Sequence, residues 1–386
     1  MKEIRVLFAA HSGEMSGGAN PALLALMTGL MEQNIRPTVL APAEGAFCEK
    51  CRELGIAVLI ERYRGCSTVF RHTPKDVLRL LKLVASPALS LVRGRAFARA
   101  HRGEFDLVYT NDRMIMMGGC VARGLKTPHI WHSRCFGREN GNCFPAGWYA
   151  IMDRLSDAIV VISRDMQREF ERKIAPEKIV LIYDGINTGR YACGEREEHG
   201  TFELLLAGRL VPEKGQMDAL HAMKRLADRG VTGIRLNIAG STPSYAAGDY
   251  ERALHAFVHE NHLEESVRFL GQIDDMPALM KRMDAALVTS RREAFGLITA
   301  ESMAAGLPVV GADTGCTPEL VTDGETGFLY KMGDPEALAA AIERLAEHPS
   351  AARCMGRCAA ESAEKSFSIE RTVAQVSRLI RKTVEN

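Results

Sequence analysis

Glu293 and Glu301 bracket the segment Glu293-Ala294-Phe295-Gly296-Leu297-Ile298-Thr299-Ala300-Glu301. An apolar run at 285–289 precedes it, and Gly306 and Pro308 follow. That order predicts a strand, a loop carrying Glu293, and a helix that begins near Gly296 and stops at Gly306. The start of such a helix presents unpaired amides to an anion such as phosphate. One to two turns in, the Glu301 carboxylate can accept both hydroxyls of a ribose. Two acids at this spacing are often plain surface charge. Flanking an apolar Phe295-Gly296-Leu297 helix start at a strand's end, they are better explained by a ligand.

Two cations form a second constellation, in Leu204-Leu205-Leu206-Ala207-Gly208-Arg209-Leu210-Val211-Pro212-Glu213-Lys214-Gly215. A buried strand here delivers Arg209 and Lys214 to its carboxyl end. Together they can clamp a diphosphate, Arg as a planar fork and Lys as a point charge. Taken alone, two solvated surface cations explain the segment equally well. A third candidate is Gly17-Gly18, between an apolar strand at 4–10 and an apolar helix. Paired glycines let the backbone approach a ligand without a Cβ, although a plain strand-to-helix turn also accounts for them. The dinucleotide pattern G-x-G-x-x-G is absent, which disfavours a nicotinamide or flavin enzyme. Cys48 and Cys51 make a single C-x2-C with no second pair nearby, so ordinary packing is expected there instead of zinc. No D-x-D occurs, and no metal or other cofactor is predicted.

These candidates need elements to hold them at strand ends. Strand-like runs fall at 4–10, 38–41, 57–60, 107–109, 129–131, 158–162 and 179–182, then at 202–207, 235–239, 267–270, 285–289, 308–311 and 327–329. Helical patterns lie between them, at 20–32, 164–173, 215–229, 249–262, 275–283, 296–305 and 335–347. Alternation of this kind predicts an α/β chain of two doubly wound parallel sheets. We expect one Rossmann-like domain at 1–190, a second at 201–367, and a terminal helix within 368–386 that packs back on the first. The polar stretch 188–201 has the composition of a linker. Ligands of open parallel sheets bind beyond the carboxyl ends of the strands, so two facing lobes predict a cleft between them.

Composition sets the outer bounds. A chain of 386 residues predicts two or three domains. Hydrophobic residues at 46% and charged residues at 25% are those of an ordinary globular protein. No run is long and apolar enough to span a membrane, and the first apolar run is too short for a signal segment. Ten cysteines without such a segment read as free thiols, so the cytoplasm is the expected compartment. A net charge of +1 argues against nucleic-acid binding. The charge is uneven, however. Residues 1–194 hold 27 Lys and Arg against 19 Asp and Glu, and the remainder holds 22 against 29, as two lobes with different partners would.

Ser16-Gly17-Gly18-Ala19, Gly208-Arg209-Leu210 with Glu213-Lys214-Gly215, and the E-x7-E of Glu293 and Glu301 occur here in one order. Ile238-Ala239-Gly240, Phe269-Leu270-Gly271, Gly306-Leu307-Pro308-Val309-Val310 and Gly324-Glu325-Thr326-Gly327-Phe328 accompany them. In this the chain resembles the retaining GT-B glycosyltransferases of glycosyltransferase family 4, which move a sugar from a nucleotide sugar to an acceptor. The resemblance implies that Arg209 and Lys214 bind the donor diphosphate and stabilise the leaving nucleotide. It implies that Glu301 holds the ribose, that Glu293 contacts hydroxyls of the transferred sugar, and that the amides of Phe295, Gly296 and Leu297 approach sugar and phosphate. It also implies that Gly17 and Gly18 close on the phosphates from the other lobe, and that His132, at the end of its strand, is an active-site histidine. Two positions depart from the family pattern: Asp184-Gly185 replaces Asn-Gly, and Gly315-Cys316 replaces Gly-Gly.

The implied activity is metal-independent retaining glycosyl transfer to a glycan or lipid-linked glycan, in cell-surface polysaccharide or glycoconjugate synthesis. A nucleotide-sugar 2-epimerase of the same architecture and a non-catalytic nucleotide-sugar-binding homologue are the alternatives. Residues 62–102 bear on the acceptor. They carry ten Lys and Arg against Asp76 as the only acid, interleaved with Val77, Leu78, Leu80, Leu81, Leu83, Val84, Leu89, Leu91 and Val92. An amphipathic helix of this kind can lie on an anionic membrane surface, or can pack on the first lobe with its cations solvated.

Overall fold

A computed structural model describes residues 2–15, 18–66, 68–69, 76–136, 142–144, 147–192, 194, 200–243, 246 and 248–385. The chain divides into two units, residues 1–185 with 369–386, and residues 186–368.

The first unit runs β1 (Ile4–Ala9), α1 (Ala19–Glu32), β2 (Ile35–Ala41), α2 (Ala46–Glu53), β3 (Ala57–Ile60), β4 (Thr68–Val69), α3 (Asp76–Ala100), β5 (Leu107–Asn111), α4 (Met117–Leu125), β6 (His129–Ser133), β7 (Asn142–Cys143), α5 (Trp148–Leu155), β8 (Ala158–Val161), α6 (Arg164–Glu171) and β9 (Ile179–Leu181). Seven of these strands form one parallel sheet in the order β3-β2-β1-β5-β6-β8-β9, and β4 pairs with β7 apart from it. The central strands are buried on both faces, which is why they read as continuous apolar runs. Leu23, Leu26, Met27 and Leu30 of α1 cover one face, where Cys48 and Cys51 are also buried. Phe97, Ile115, Met117 and Val121 cover the other.

The second unit runs α7 (Thr188–Tyr191), β10 (Phe202–Ala207), α8 (Gln216–Asp228), β11 (Ile234–Ala239), α9 (Asp249–Glu260), β12 (Val267–Gly271), α10 (Met276–Met280), β13 (Ala285–Val288), α11 (Leu297–Ala304), β14 (Val309–Ala312), α12 (Thr317–Leu320), β15 (Gly327–Tyr330), α13 (Pro335–Glu347) and α14 (Pro349–Phe367). Its parallel sheet has the order β12-β11-β10-β13-β14-β15. The last helix, α15 (Ile369–Glu385), belongs to the first unit, where Val373, Val376 and Ile380 join the core beneath α1.

Three expectations needed correction. The first boundary lies at 185/186 and not at 190, because Ile186 and Tyr191 are buried within the second unit. The expected linker therefore opens with a helix, α7. The second strand begins at Ile35 and not at residue 38: Ile35 is buried against Ile4, which outweighs the one donor that Pro37 lacks. Helix α14 was not anticipated at all. Its buried stripe is Ala352, Gly356, Ala359, Ala363 and Phe367, mostly too small to register as apolar periodicity.

Candidate functional site

In the second unit, the carboxyl ends of β10 and β13 lie side by side, because those strands are neighbours. Lys214 closes a short helical turn after β10, and its Nζ meets Glu293 Oε1 at 2.5 Å. The same oxygen accepts the Ser290 hydroxyl at 2.5 Å. Backbone contacts hold the two loops together: Thr289 Oγ1 donates to the Lys214 carbonyl at 2.9 Å, and the Arg291 amide to the Glu213 carbonyl at 2.9 Å. Gly215 makes that approach possible. Its φ is 68°, and a Cβ there would stand 2.0 Å from the Thr289 carbonyl oxygen. Arg209 is exposed at the end of β10, its carbonyl bound by Gln216.

The loop bearing Glu293 is braced from β14 as well. Gly315 has φ 58°, and a Cβ on it would come within 2.7 Å of the Glu293 backbone. The Cys316 amide donates to the Glu293 carbonyl at 3.0 Å. The position that departs from Gly-Gly thus supports the acid through its backbone, while its side chain is buried. Phe295 is buried too, its ring edge-on against Phe367. Gly296 caps α11, and Leu297 opens it.

Glu301 lies on the second turn of α11. Burial pushes its carboxyl above the ordinary glutamate range, opposed by a hydrogen bond from the Tyr191 hydroxyl and by the nearby Arg190 charge. In the pH window between the ordinary and the raised value, the folded chain keeps a proton that the unfolded chain has released. Stability therefore falls as pH rises through that window. Glu301→Gln removes the effect. Its Tm should exceed the parent's at pH 7, and the gap should close below about pH 4.3, the ordinary glutamate value. Thermal denaturation between pH 4 and 8 checks this, and a gap independent of pH would refute it.

The first unit gathers a different cluster at the carboxyl ends of β1, β5 and β6. His132 lies inside β6, one residue short of its end, and is fully buried. Its Nδ1 meets the Tyr109 hydroxyl at 2.6 Å and Arg134 Nη2 at 3.3 Å. A guanidinium only donates, so Nδ1 accepts and Nε2 carries the proton. Among the described residues Nε2 has no hydrogen-bond partner, and it stands 3.8 Å from Asp184 Oδ1. Burial, reinforced by the Arg134 charge, holds the imidazole well below its ordinary pKa, so it is neutral at pH 7. Arg134 pairs with Asp184 and donates from Nε to Asn111 Oδ1 at 2.7 Å. Asn111 in turn donates to the Ala19 carbonyl at 3.2 Å, at the start of α1.

Asp112, just past β5, has φ 98°, a conformation that non-glycine residues seldom adopt. Its Oδ1 accepts the Arg113 amide at 2.6 Å, and its carbonyl accepts Trp131 Nε1 at 2.9 Å. Gly18 is exposed and precedes α1, while Gly17 lies outside the described residues.

The structure therefore brings Lys214 and Glu293 into contact and sets Glu301 on the helix that follows. His132 belongs to the other unit's cluster. Sequence reasoning missed Tyr191, Arg190, Ser290, Arg134, Asn111 and Tyr109. The first two were hidden in a stretch read as linker, whereas Arg134 sits two residues past His132 and could have been found from that spacing. Asp184 had been read only as a departure from Asn-Gly. A cavity of about 560 Å³ bounded by Phe202, Ile234, Asp284 and Arg353 lies at the amino ends of β10 and β13, the edge where parallel sheets do not bind ligands.

Comparison with known proteins agrees with the fold and motifs. The family model "Glycosyltransferase Family 4" matches residues 16–190, and "Glycosyl transferases group 1" matches residues 194–362. D-inositol 3-phosphate glycosyltransferase of Corynebacterium glutamicum is 31% identical over 407 residues, covering 96% of this chain and 93% of that enzyme. Glycogen synthase of Mycobacterium tuberculosis is 34% identical over 219 residues, 55% of this chain, and the match spans about half (51%) of that relative's length. Among solved structures, Anabaena Alr3699/HepE in complex with UDP superposes with a TM-score of 0.80 at 23% identity, covering 99% of this chain and 100% of that one. With two GT-B-type parallel-sheet units and a full-length relative at 31% identity, this chain belongs to glycosyltransferase family 4.

Proposed function

We propose that this protein transfers a sugar from a nucleotide-sugar donor to a glycan or lipid-linked glycan, with retention of anomeric configuration and without a metal. The observation that carries this reading is the Lys214–Glu293 pair, formed across 79 residues of sequence on the ligand-binding edge of the second sheet. Breaking an anomeric bond leaves positive charge on the sugar and negative charge on the departing diphosphate. Lys214 and Arg209 offset the latter, and the α11 amides add their share. A diphosphate outbids the single Glu293 carboxylate for Lys214 because it brings more negative charge. Glu301 accepts the ribose hydroxyls, Glu293 contacts sugar hydroxyls, and His132, whose Nε2 is buried beside Asp184, is the active-site histidine of the first unit. Gly17 and Gly18 let the backbone approach the phosphates.

Double displacement requires a carboxylate nucleophile beside the anomeric carbon, and neither glutamate is assigned that task. Attack on the same face as the leaving diphosphate accounts for retention without one. The acceptor belongs to cell-surface polysaccharide or glycoconjugate synthesis and is met on the cytoplasmic face of a membrane.

The solved Anabaena relative holds UDP, so UDP-sugars are the first donors to test, beside GDP-, ADP- and dTDP-sugars. A donor at about 100 times its dissociation constant should add roughly 2.7 kcal/mol to stability. Turnover that survives a chelator, with the anomeric configuration of the product read by NMR, completes the test. If none of the four nucleotides shifts the Tm, the donor site is wrong. An epimerised nucleotide sugar formed without acceptor would establish the epimerase instead.

A further inference from the structure

Arg134 stands just past β6, with its side chain only 4% exposed and that of Asp184 beside it 7%. Each of its three nitrogens has a different partner. Nε donates to Asn111 Oδ1 at 2.7 Å, Nη1 to Asp184 Oδ1, and Nη2 to His132 Nδ1 at 3.3 Å. The Asn111 amide is itself oriented: its nitrogen donates to the Ala19 carbonyl, which leaves Oδ1 for Arg134. The guanidinium plane is thereby held from the end of β5 and from the turn past β9 at once.

A guanidinium taken out of water is strongly disfavoured unless a counter-charge accompanies it. Asp184 supplies that charge at the position where the family pattern has Asn. The departure at Asp184-Gly185 and the buried Arg134 are therefore two halves of one ion pair, and Asn at 184 would strand the cation.

The pair also bears on the imidazole. Nδ1 of His132 has two polar neighbours, the Tyr109 hydroxyl at 2.6 Å and Arg134. A hydroxyl donates or accepts, so Tyr109 is compatible with either neutral tautomer. A guanidinium only donates, so Arg134 is compatible with one. The titratable and charged groups at this ring are Tyr109 on β5, Arg134 past β6 and Asp184 past β9. His11, past β1, lies in the same field: its own burial lowers its pKa, Asp112 opposes the shift and Arg134 adds to it.

We propose that Arg134 is a positioning residue for His132, selecting the Nε2–H tautomer and fixing the ring, and that Asp184 is the counter-charge that lets it be buried there. Its effect on turnover rests on the glycosyl-transfer reading, with His132 as the active-site histidine. The tautomer itself does not.

The test uses the full chain carrying 15N-labelled histidine, with the His132 signals assigned by their loss in His132→Gln. Two-bond nitrogen–proton correlation spectra show which ring nitrogen is protonated. The parent should hold one neutral form, protonated on Nε2, between about pH 6 and 8, across the ordinary histidine range. Tyr109→Phe should keep that form, because the selecting donor remains. Arg134→Met with Asp184→Asn removes the donor without stranding a charge. Its His132 should populate both tautomers, and kcat should fall on the order of 10²-fold, the cost of a misplaced active-site group. Asp184→Asn alone should melt below that double variant, because it leaves the guanidinium unpaired.

A parent ring that is charged or protonated on Nδ1 would overturn the proposal. So would loss of the Nε2–H form in Tyr109→Phe, its retention in the double variant, or a normal kcat beside mixed tautomers. Asp184→Asn as stable as the double variant would overturn the counter-charge. Should the double variant not fold, the parent and Tyr109→Phe spectra decide between Arg134 and Tyr109. A parent with the Nε2–H form and no turnover would count against glycosyl transfer and leave the tautomer assignment standing.

Discussion

Lys214→Ala should lower turnover by about 10²–10³-fold while the second unit stays folded, the loss seen when one preorganised electrostatic partner of a transition state is removed. Nothing else in the loop supplies a compact charge at that point. Arg209 is exposed at the strand end, and Ser290 only donates a hydroxyl to Glu293. The stability cost should be small. The Lys214 and Glu293 side chains retain 23% and 12% exposure, and Glu293 keeps its Ser290 bond. Partly exposed pairs of this kind contribute on the order of 1 kcal/mol or less. Steady-state kinetics beside a melting curve separates the two effects. Near-normal turnover in a folded variant would remove Lys214 from the diphosphate, and Arg209→Ala is held to the same standard.

Glu293→Gln should separate chemistry from nucleotide binding. Transfer should fall by about a hundredfold or more, because an interaction with the reacting sugar counts in the transition state. Affinity for free UDP should stay level or rise, since Lys214 is released from the carboxylate that holds it at 2.5 Å. Calorimetric titration of UDP into parent and variant measures the difference. If UDP affinity drops in step with turnover, Glu293 serves only to hold Lys214 in position, and its assignment to the sugar is wrong. Glu301→Gln should give the opposite pattern, weakening free nucleotide through the ribose.

Much of the fold was legible in the residues. Every strand of the two large sheets overlaps an expected run, and 57–60, 202–207 and 335–347 were placed to the residue. Buried parallel strands are short unbroken apolar segments, a property of adjacent residues, and the helices between them repeat every three to four positions. The spacing of Arg209 to Lys214 and of Glu293 to Glu301 is equally local. Where the local signal was weak, the reading failed: α14 hides in alanines and glycine, and α7 in a polar stretch.

What only the tertiary structure decided is which of these residues meet. Lys214 reaches Glu293 because the crossovers place β10 beside β13 instead of beside β12. Tyr191 reaches Glu301 because α7 packs on the second unit. His132 is kept neutral because β5 and β6 are neighbours and bring Tyr109 and Arg134 to its buried ring, with Asp184 nearby. Each of these depends on strand order and on burial. Both are set by the whole chain closing on its core, which no window of sequence contains.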